Sequence, residues 1–396
     1  MSEKPKRSTL KASLAVTLSL LVTLGVAEFG VRMLADSGLW PGFFEALGQA
    51  RPPLDVRDGP GMYYTHPYSA YALKPGYTRY GVFGDRDKPP REHINALGFR
   101  GDEIEQAKPS GTYRIIALGG STTFGVYLPQ YETYPYFLQQ ELRKRLGTDN
   151  IEVVNGGLTG STATESLHRV SYQVLPAEPD MVIIYHAYND LFPRVFSDYQ
   201  EDYYHFRRVD PNNPPGLSRF YLYRLLLAAL SPGAFHENHD LTGLVWKIKN
   251  LPNTDTELTQ NFVNSSNDAF RRSMDHMIAL LQAKGVEVVL ATFAIAPNLW
   301  HWNDHIPPYL WEFGIGENND TIRELAQEFN TPLVPFAERA IGKAHMYSDS
   351  IHMSTEGNRF KARIFADTIA PLIAAEMDLQ LAEAAPEPAT SSSGQL

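Results

Sequence analysis

The sequence predicts an α/β protein: a three-layer α/β/α sandwich around a mostly parallel five-stranded sheet, preceded by an N-terminal transmembrane helix. Three observations lead there. Apolar, β-branched runs alternate with amphipathic segments from residue 113 onward. These runs are continuous rather than alternating, as in strands covered by helices on both faces. An uncharged stretch follows a basic N-terminus.

Taken in order, Lys4, Lys6, Arg7 and Lys11 precede the uncharged stretch Ala12–Ala27. Counted on to Leu34, with Arg32 snorkelling, it reaches spanning length. Residues 12–34 therefore read as a signal-anchor, "GVAEFG" being a poor cleavage site; a cleaved signal peptide and a buried helix of a cytosolic protein are the alternatives. The positive charges hold residues 1–11 in the cytoplasm and send the rest across the membrane. Residues 35–110 are rich in Pro, Gly and Tyr without helical periodicity, the pattern of an irregular stalk or cap.

The main domain is expected over residues 111–376. Its strands are read in "YRIIALGG", "IEVVNGG", "DMVIIYHAYND", "VEVVLATFAIA" and "TPLVPFA". Between them lie helical patterns such as "TYPYFLQQELRKRLG", closed by Gly147, and "NDAFRRSMDHMIALLQAKG"; "STEGNRFKARIFADTIAPLIAAEM" reads as a closing helix. Residues 191–257 interrupt the alternation and read as a partly helical insertion over the sheet's carboxyl edge. The tail 377–396 is low in bulky apolar residues and is expected to be disordered.

Composition narrows the function. A net charge of −10, with no basic cluster beyond residue 11, excludes a nucleic-acid partner. The chain has no cysteine, which removes disulfides, thiolate metal sites and a Cys nucleophile. "HENH" (236–239) and "HWNDH" (301–305) have ligand-like spacing, but neither offers an evident third ligand. No metal and no organic cofactor is expected.

Ligands of open parallel sheets sit at the carboxyl ends of the strands. Four polar motifs fall there: "GGST" with Ser121, "NGGLTGST" with Gly160, "YND" with Asn189, and "DSIHMS" with Asp349 and His352. Each has a bland reading. Gly-Gly-Ser is a common turn, Asn-Asp a helix cap, Asp-x-x-His a capping pair.

In this order the four motifs resemble those of the SGNH hydrolases, or GDSL-type esterases and lipases. Gly119-Gly120-Ser121 stands where the family usually has Gly-Asp-Ser. Asn155, Gly160 and Thr162 match its second block. Asn189-Asp190 matches the end of Gly-x-Asn-Asp, without the glycine. Asp349 and His352 match Asp-x-x-His. The "N-x-x-GFRG" stretch (95–101) and the anchor also resemble a membrane-tethered bacterial subgroup. That implies placement in the inner membrane with the enzymatic domain on the periplasmic side.

The resemblance implies an SGNH-like, flavodoxin-like sandwich and a serine esterase. Ser121 is the expected nucleophile, His352 its base, and Asp349 the residue that orients and charge-stabilises the imidazole. The oxyanion donors are the backbone N–H groups of Ser121 and Gly160 and the Asn189 amide. His186 beside them either lines the pocket or merely ends a strand. Tyr199, Tyr203, Tyr204, Phe206, Trp300, Trp302, Tyr309 and Trp311 form aromatic clusters near the carboxyl edge. They read as a satellite core, or, through Trp300 and Trp302 with His186, as a substrate platform. The expected partners are an acyl ester, with an O-acetyl group on an envelope or extracellular polysaccharide as the specific guess, and the membrane. Acyl transfer to a sugar by the same triad, and an inactive anchored scaffold, stay open beside hydrolysis.

Overall fold

The computed structural model describes residues 6–37, 62–66, 68–80, 90–207, 220, 222–223, 225, 254–299 and 306–378. Two compact units divide the chain: Met1–Thr65 with Arg207–Trp246, and His66–Phe206 with Lys247–Leu396. In the first, helix α1 (Lys6–Asp36) contains a 21-residue stretch, Leu14–Leu34, long and apolar enough to cross a membrane as an anchor or signal sequence. Glu28 on its last turns accepts hydrogen bonds from Arg32 Nε (2.7 Å) and from the backbone N–H of Leu222 (2.8 Å).

The second unit is built on five strands: β1 (Tyr113–Gly119), β2 (Ile151–Gly157), β3 (Met181–Tyr185), β4 (Glu287–Ala291) and β5 (Leu333–Val334). Their order is β2-β1-β3-β4-β5, and every pairing is parallel. This is the flavodoxin-like order, which reverses direction between β1 and β3 and opens a crevice at their carboxyl ends. β1 and β3 are buried along their whole length. Val, Ile and Leu fill them, as a doubly covered strand requires.

The helices of this unit include α2 (Ser121–Phe124), α3 (Tyr134–Leu146), α4 (Ala163–Arg169), α5 (Asp255–Asn264), α6 (Asp268–Ala283), α7 (Pro308–Glu328) and α8 (Thr355–Glu376). Even-numbered strand residues Ile116, Leu118, Val182, Ile184, Val288 and Leu290 form one core with Phe270, Met274 and Ile278 of α6 and Ile322 and Leu325 of α7. Burying each such side chain is worth about 1.5–3 kcal/mol before entropy is counted. On the opposite face α3 and α8 pack together, and the Tyr113 hydroxyl donates to Glu376 of α8 at 2.8 Å.

Local details differ from the sequence reading where tertiary contacts outweigh pattern. The fifth strand is only two residues long, because Pro332 and Pro335 flank it. Helix α7 starts at Pro308, well before the expected "NNDTIRELAQEFN". Within 191–257, the described residues include a short helical turn Asn189–Val195, the turn Tyr204–Arg207 and the start of α5. Phe192, Tyr203 and Phe206 there are buried. Residues 90–101 run onto the sheet: Arg100 bridges to Asn155 of β2 and to Ile94.

One buried amine stands out. Lys361 of α8 is 2 % exposed. Its Nζ lies 3.4 Å from the centre of the Tyr185 ring and 4.0 Å from that of Tyr134, with Phe336 and Phe365 at 5.4 and 5.5 Å. Burial pushes this amine well below the ordinary lysine value. The unfolded chain therefore takes up the extra proton, and the native state loses stability as pH falls from about 10 towards the folded value. Lys361→Met is expected to be more stable than wild type at pH 7, with the gap narrowing as pH rises towards about 10. Denaturant titrations of the detergent-solubilised chain at pH 7 and 10 measure this; a gap independent of pH would contradict it.

Candidate active site

Strand β1 ends at Gly119, which sits in register between Gly157 of β2 and Tyr185 of β3. The chain then turns at Gly120 into α2, whose first residue is Ser121. Two close approaches allow this turn. A Cβ on Gly157 would lie 2.1 Å from the Phe124 backbone nitrogen, so α2 rests directly on β2. A Cβ on Gly120 would lie 2.5 Å from Asn189 Nδ2.

That amide comes from the end of β3. Asn189 Nδ2 donates to Ser161 O at 2.8 Å. The next residue, Asp190, accepts the Ala163 N–H on both carboxylate oxygens (3.1 and 3.2 Å) and so caps α4. Thr162 and Glu165 close the same helix end, the Thr162 N–H donating to Glu165 at 2.7 Å. The loop between β2 and α4 is thus pinned from β3. It is also tied to β1, through Leu158 N–H to Gly119 O at 2.9 Å. Gly160 within it stands at φ +74°.

The 349–352 turn reaches the same point. His352 Nε2 is 2.8 Å from Ser121 Oγ, and His352 Nδ1 is 2.7 Å from Asp349 Oδ2. The other carboxylate oxygen, Oδ1, accepts the backbone N–H groups of Ile351 (2.9 Å) and His352 (2.7 Å). All three side chains are buried, Ser121 being 8 % exposed. Burial works to raise the Asp349 carboxyl, but its hydrogen bonds and charge interaction with His352, and the backbone donors, hold it below the ordinary aspartate value. The carboxylate stays ionised beside the imidazole. Such a chain lets the hydroxyl give up its proton and the imidazole carry it.

The structure therefore brings Ser121, Asp349, His352 and Asn189 together, with the loop bearing Gly160 alongside. His186 is 2 % exposed, and its Nε2 lies 2.8 Å from Ser166 Oγ, which is 3.3 Å from Ser161 Oγ. This hydrogen-bonded run leads from His186 back to the residue whose carbonyl holds Asn189. Trp300, Trp302, "HENH" and "HWNDH" lie outside the described residues. No group of three or more His, Asp or Glu side chains suited to a metal occurs among the described residues.

Three features were not anticipated. Tyr127, at φ +73°, sets its ring edge-on to His352, with centroids 5.3 Å apart and an interplanar angle of 76°. Behind Ser121 the rings of Tyr185 and Phe293 stack at 4.6 Å, Phe293 on Tyr188 at 6.3 Å, and Tyr188 on Trp311 at 4.6 Å. Two buried asparagines of α7 fix this stack. Asn319 brackets Phe293, accepting its N–H (2.7 Å) and donating to its carbonyl (2.9 Å), and Asn318 donates to Ala187 O at 2.9 Å. The "NN" pair in the α7 pattern was the available signal for the last of these. Tyr127 offered none, since left-handed backbone is unusual for a residue with a side chain.

The sequence model of the GDSL-like lipase/acylhydrolase family matches residues 117–360. A search of curated proteins gives no match. Among solved structures, an acetyl xylan esterase is 19% identical over 65% of this chain and 99% of its own, with a TM-score of 0.40. A GDSL-like lipase from Bacteroides thetaiotaomicron is 16% identical over 69% of this chain and 91% of its own, with a TM-score of 0.38. A catalytic mutant of an acetylxylan esterase from Geobacillus stearothermophilus is 15% identical over 66% of this chain and 96% of its own, with a TM-score of 0.41.

Burial, with a smaller contribution from the Arg169 charge and against the opposing pull of Glu165, pushes the His186 imidazole down to about 3. The unfolded chain protonates this histidine near 6.5, so the native state loses stability as pH falls from about 6.5 towards 3, by up to about 1.4 kcal/mol per pH unit. His186→Gln is expected to flatten that acid limb while leaving the neutral-pH trend unchanged. Chemical denaturation of the detergent-solubilised chain at pH 7, 6, 5 and 4 checks it; parallel curves for the two proteins would refute the assignment.

Proposed function

The chain belongs to the GDSL-like lipase/acylhydrolase family, and from that premise we propose that it is a serine esterase acting on acyl esters. One observation carries the reading: the continuous hydrogen-bonded chain Ser121 Oγ–His352 Nε2 (2.8 Å) and His352 Nδ1–Asp349 Oδ2 (2.7 Å). On this reading His352 takes the Ser121 proton as Oγ attacks the ester carbonyl. The tetrahedral oxyanion is met by the N–H groups of Ser121 and Gly160 and by Asn189. Asn189 carries two amide hydrogens. One is held by Ser161 O, which aims the other. Collapse of the intermediate breaks the ester C–O bond, and His352 returns the proton to the departing alcohol. Water, deprotonated by the same imidazole, then releases the acid and restores Ser121. Asp349 holds the Nδ1 proton and offsets the imidazolium charge throughout.

The substrate reading is a short O-acyl group, acetyl in particular, on an envelope or extracellular carbohydrate. The stacked rings of Tyr185 and Phe293, which line the small pocket at Ser121, support a short acyl group. The apolar Leu14–Leu34 helix supports anchoring at a membrane, and the basic residues Lys4, Lys6, Arg7 and Lys11 before it favour the esterase domain on the outer side. No metal or cofactor enters this chemistry.

The detergent-solubilised chain is expected to hydrolyse p-nitrophenyl acetate and to be labelled by a fluorophosphonate on Ser121. Ser121→Ala is expected to lose labelling and at least about 10³-fold in kcat/KM. Asn189→Ala is expected to lose about 10²–10³-fold in kcat with labelling retained but slower. Labelling without turnover, relieved by adding a glycan acceptor, would replace hydrolysis by acyl transfer. Absence of labelling would leave an anchored protein without esterase chemistry.

A further inference from the structure

We infer that Tyr127 is a contact residue for the alcohol portion of the ester, an aromatic platform suited to a sugar ring, and that Arg100 is the positioning residue that holds it there. The inference rests on the reading of Ser121, His352 and Asp349 as the catalytic chain.

The first step is chemical. When the ester C–O bond breaks, the alkoxide takes its proton from His352 Nε2. The alcohol oxygen must therefore lie within hydrogen-bond reach of that atom, and the group attached to it extends past whatever flanks the imidazole. Tyr127 flanks it, ring edge against ring. The residue is 50 % exposed. It is packed enough to be held and open enough to receive a flat apolar face, as sugar rings present to aromatic side chains.

The second step is mechanical. A tyrosine at φ +73° is costly backbone that persists only when its surroundings impose it. Here two arginines impose it. Arg100 is 2 % exposed, and its guanidinium donates to the carbonyls of Phe124 (2.6 Å), Gly125 (2.9 Å) and Leu128 (2.7 Å), and to that of Arg91 (3.0 Å). Arg91 in turn donates to the Tyr127 carbonyl at 2.7 Å. The plane of Arg100 also lies over the Phe124 ring, Cζ 4.5 Å from its centre. Its own backbone N–H donates to Asn155 O of β2 at 3.1 Å. A single planar fork thus ties the loop after the nucleophile helix to the sheet edge, a task a lysine ammonium cannot perform. This assigns a purpose to the arginine of the "GFRG" stretch, which catalysis itself leaves unused.

The test compares esters that share an acetyl group and differ in alcohol: ethyl acetate and glucose pentaacetate, with the full chain in detergent. Tyr127→Ala is expected to lower kcat/KM for glucose pentaacetate about tenfold, mainly through KM. Its kcat/KM for ethyl acetate should stay within about threefold of wild type. Tyr127→Phe should behave as wild type on both. Tyr127→Gly relieves the left-handed constraint without disturbing Arg100, so it should match or exceed wild type in Tm yet show the Tyr127→Ala selectivity. Arg100→Lys should lower kcat/KM for glucose pentaacetate by a larger factor than that for ethyl acetate. If Tyr127→Ala and Tyr127→Gly lower both esters equally, or neither, the platform is refuted while the esterase reading stands. If Arg100→Lys keeps wild-type selectivity, the positioning role is refuted. If wild type hydrolyses no ester and Ser121 resists a fluorophosphonate, the catalytic reading fails and this inference with it.

Discussion

The carboxyl edge of the sheet is organised by a shortage of space at residue 120. Asn189 Nδ2 occupies the position a side chain there would need, 2.5 Å from where its Cβ would stand, and is held by Ser161 O at 2.8 Å. Three loops from three strands are consequently locked at one point: the turn after β1, the loop after β2 and the end of β3. Ser121 is the next residue, so its position follows from this packing. Asp190 adds a second lock by capping α4. The Asn-Asp dipeptide therefore acts twice, with one side chain toward the crevice and the other toward a helix end.

Buried polar groups do much of the positioning. Arg114 is fully buried; it pairs with Glu152 at 2.5 Å and donates to the carbonyls of Ala177, Glu105 and Gln106. Arg169 donates to Gly156 O at 2.7 Å. Asn318, Asn319 and Arg100 follow the same pattern, a buried side-chain donor placed on a backbone carbonyl. In a low-dielectric interior an unmade hydrogen bond is expensive, so each of these groups strongly restricts the loop it serves. The loops at the crevice are irregular in backbone but are fixed by the helices and strands behind them.

Much of this was legible in the sequence. Continuous apolar strands gave the parallel sheet, and polar motifs at their ends gave the crevice, because strand direction alone places those ends together. What escaped was whatever depends on contacts between segments remote in the chain. Tyr127 lies in "GVYLPQ", an ordinary loop by composition; its conformation is imposed from Arg91 and Arg100. The stack of Tyr185, Phe293, Tyr188 and Trp311 joins three segments, and no periodicity links them. His186 follows a buried apolar run, and its burial against Ser166 could not be read from that. Gly120 was visible as a departure from the usual Gly-Asp-Ser pattern, but its close approach to the Asn189 amide is purely spatial.

The two flanks of Ser121 differ in kind, and the difference bears on how one site can serve one chemistry with selectivity. On one flank Tyr185 is packed between Phe293 and the Lys361 amine, and Phe293 is bracketed by Asn319, so that wall has no freedom to yield. On the other flank Tyr127 is half-exposed and its ring makes a T-shaped contact with His352. A rigid, closely packed wall rejects added methylenes sterically, whereas an open aromatic face tolerates many shapes and favours flat apolar ones. On the proposed chemistry, the acyl group meets the first and the alcohol the second. Selection for a small acyl group and tolerance of a large alcohol then follow from a single asymmetry of packing, with the proton-carrying imidazole at the boundary between them.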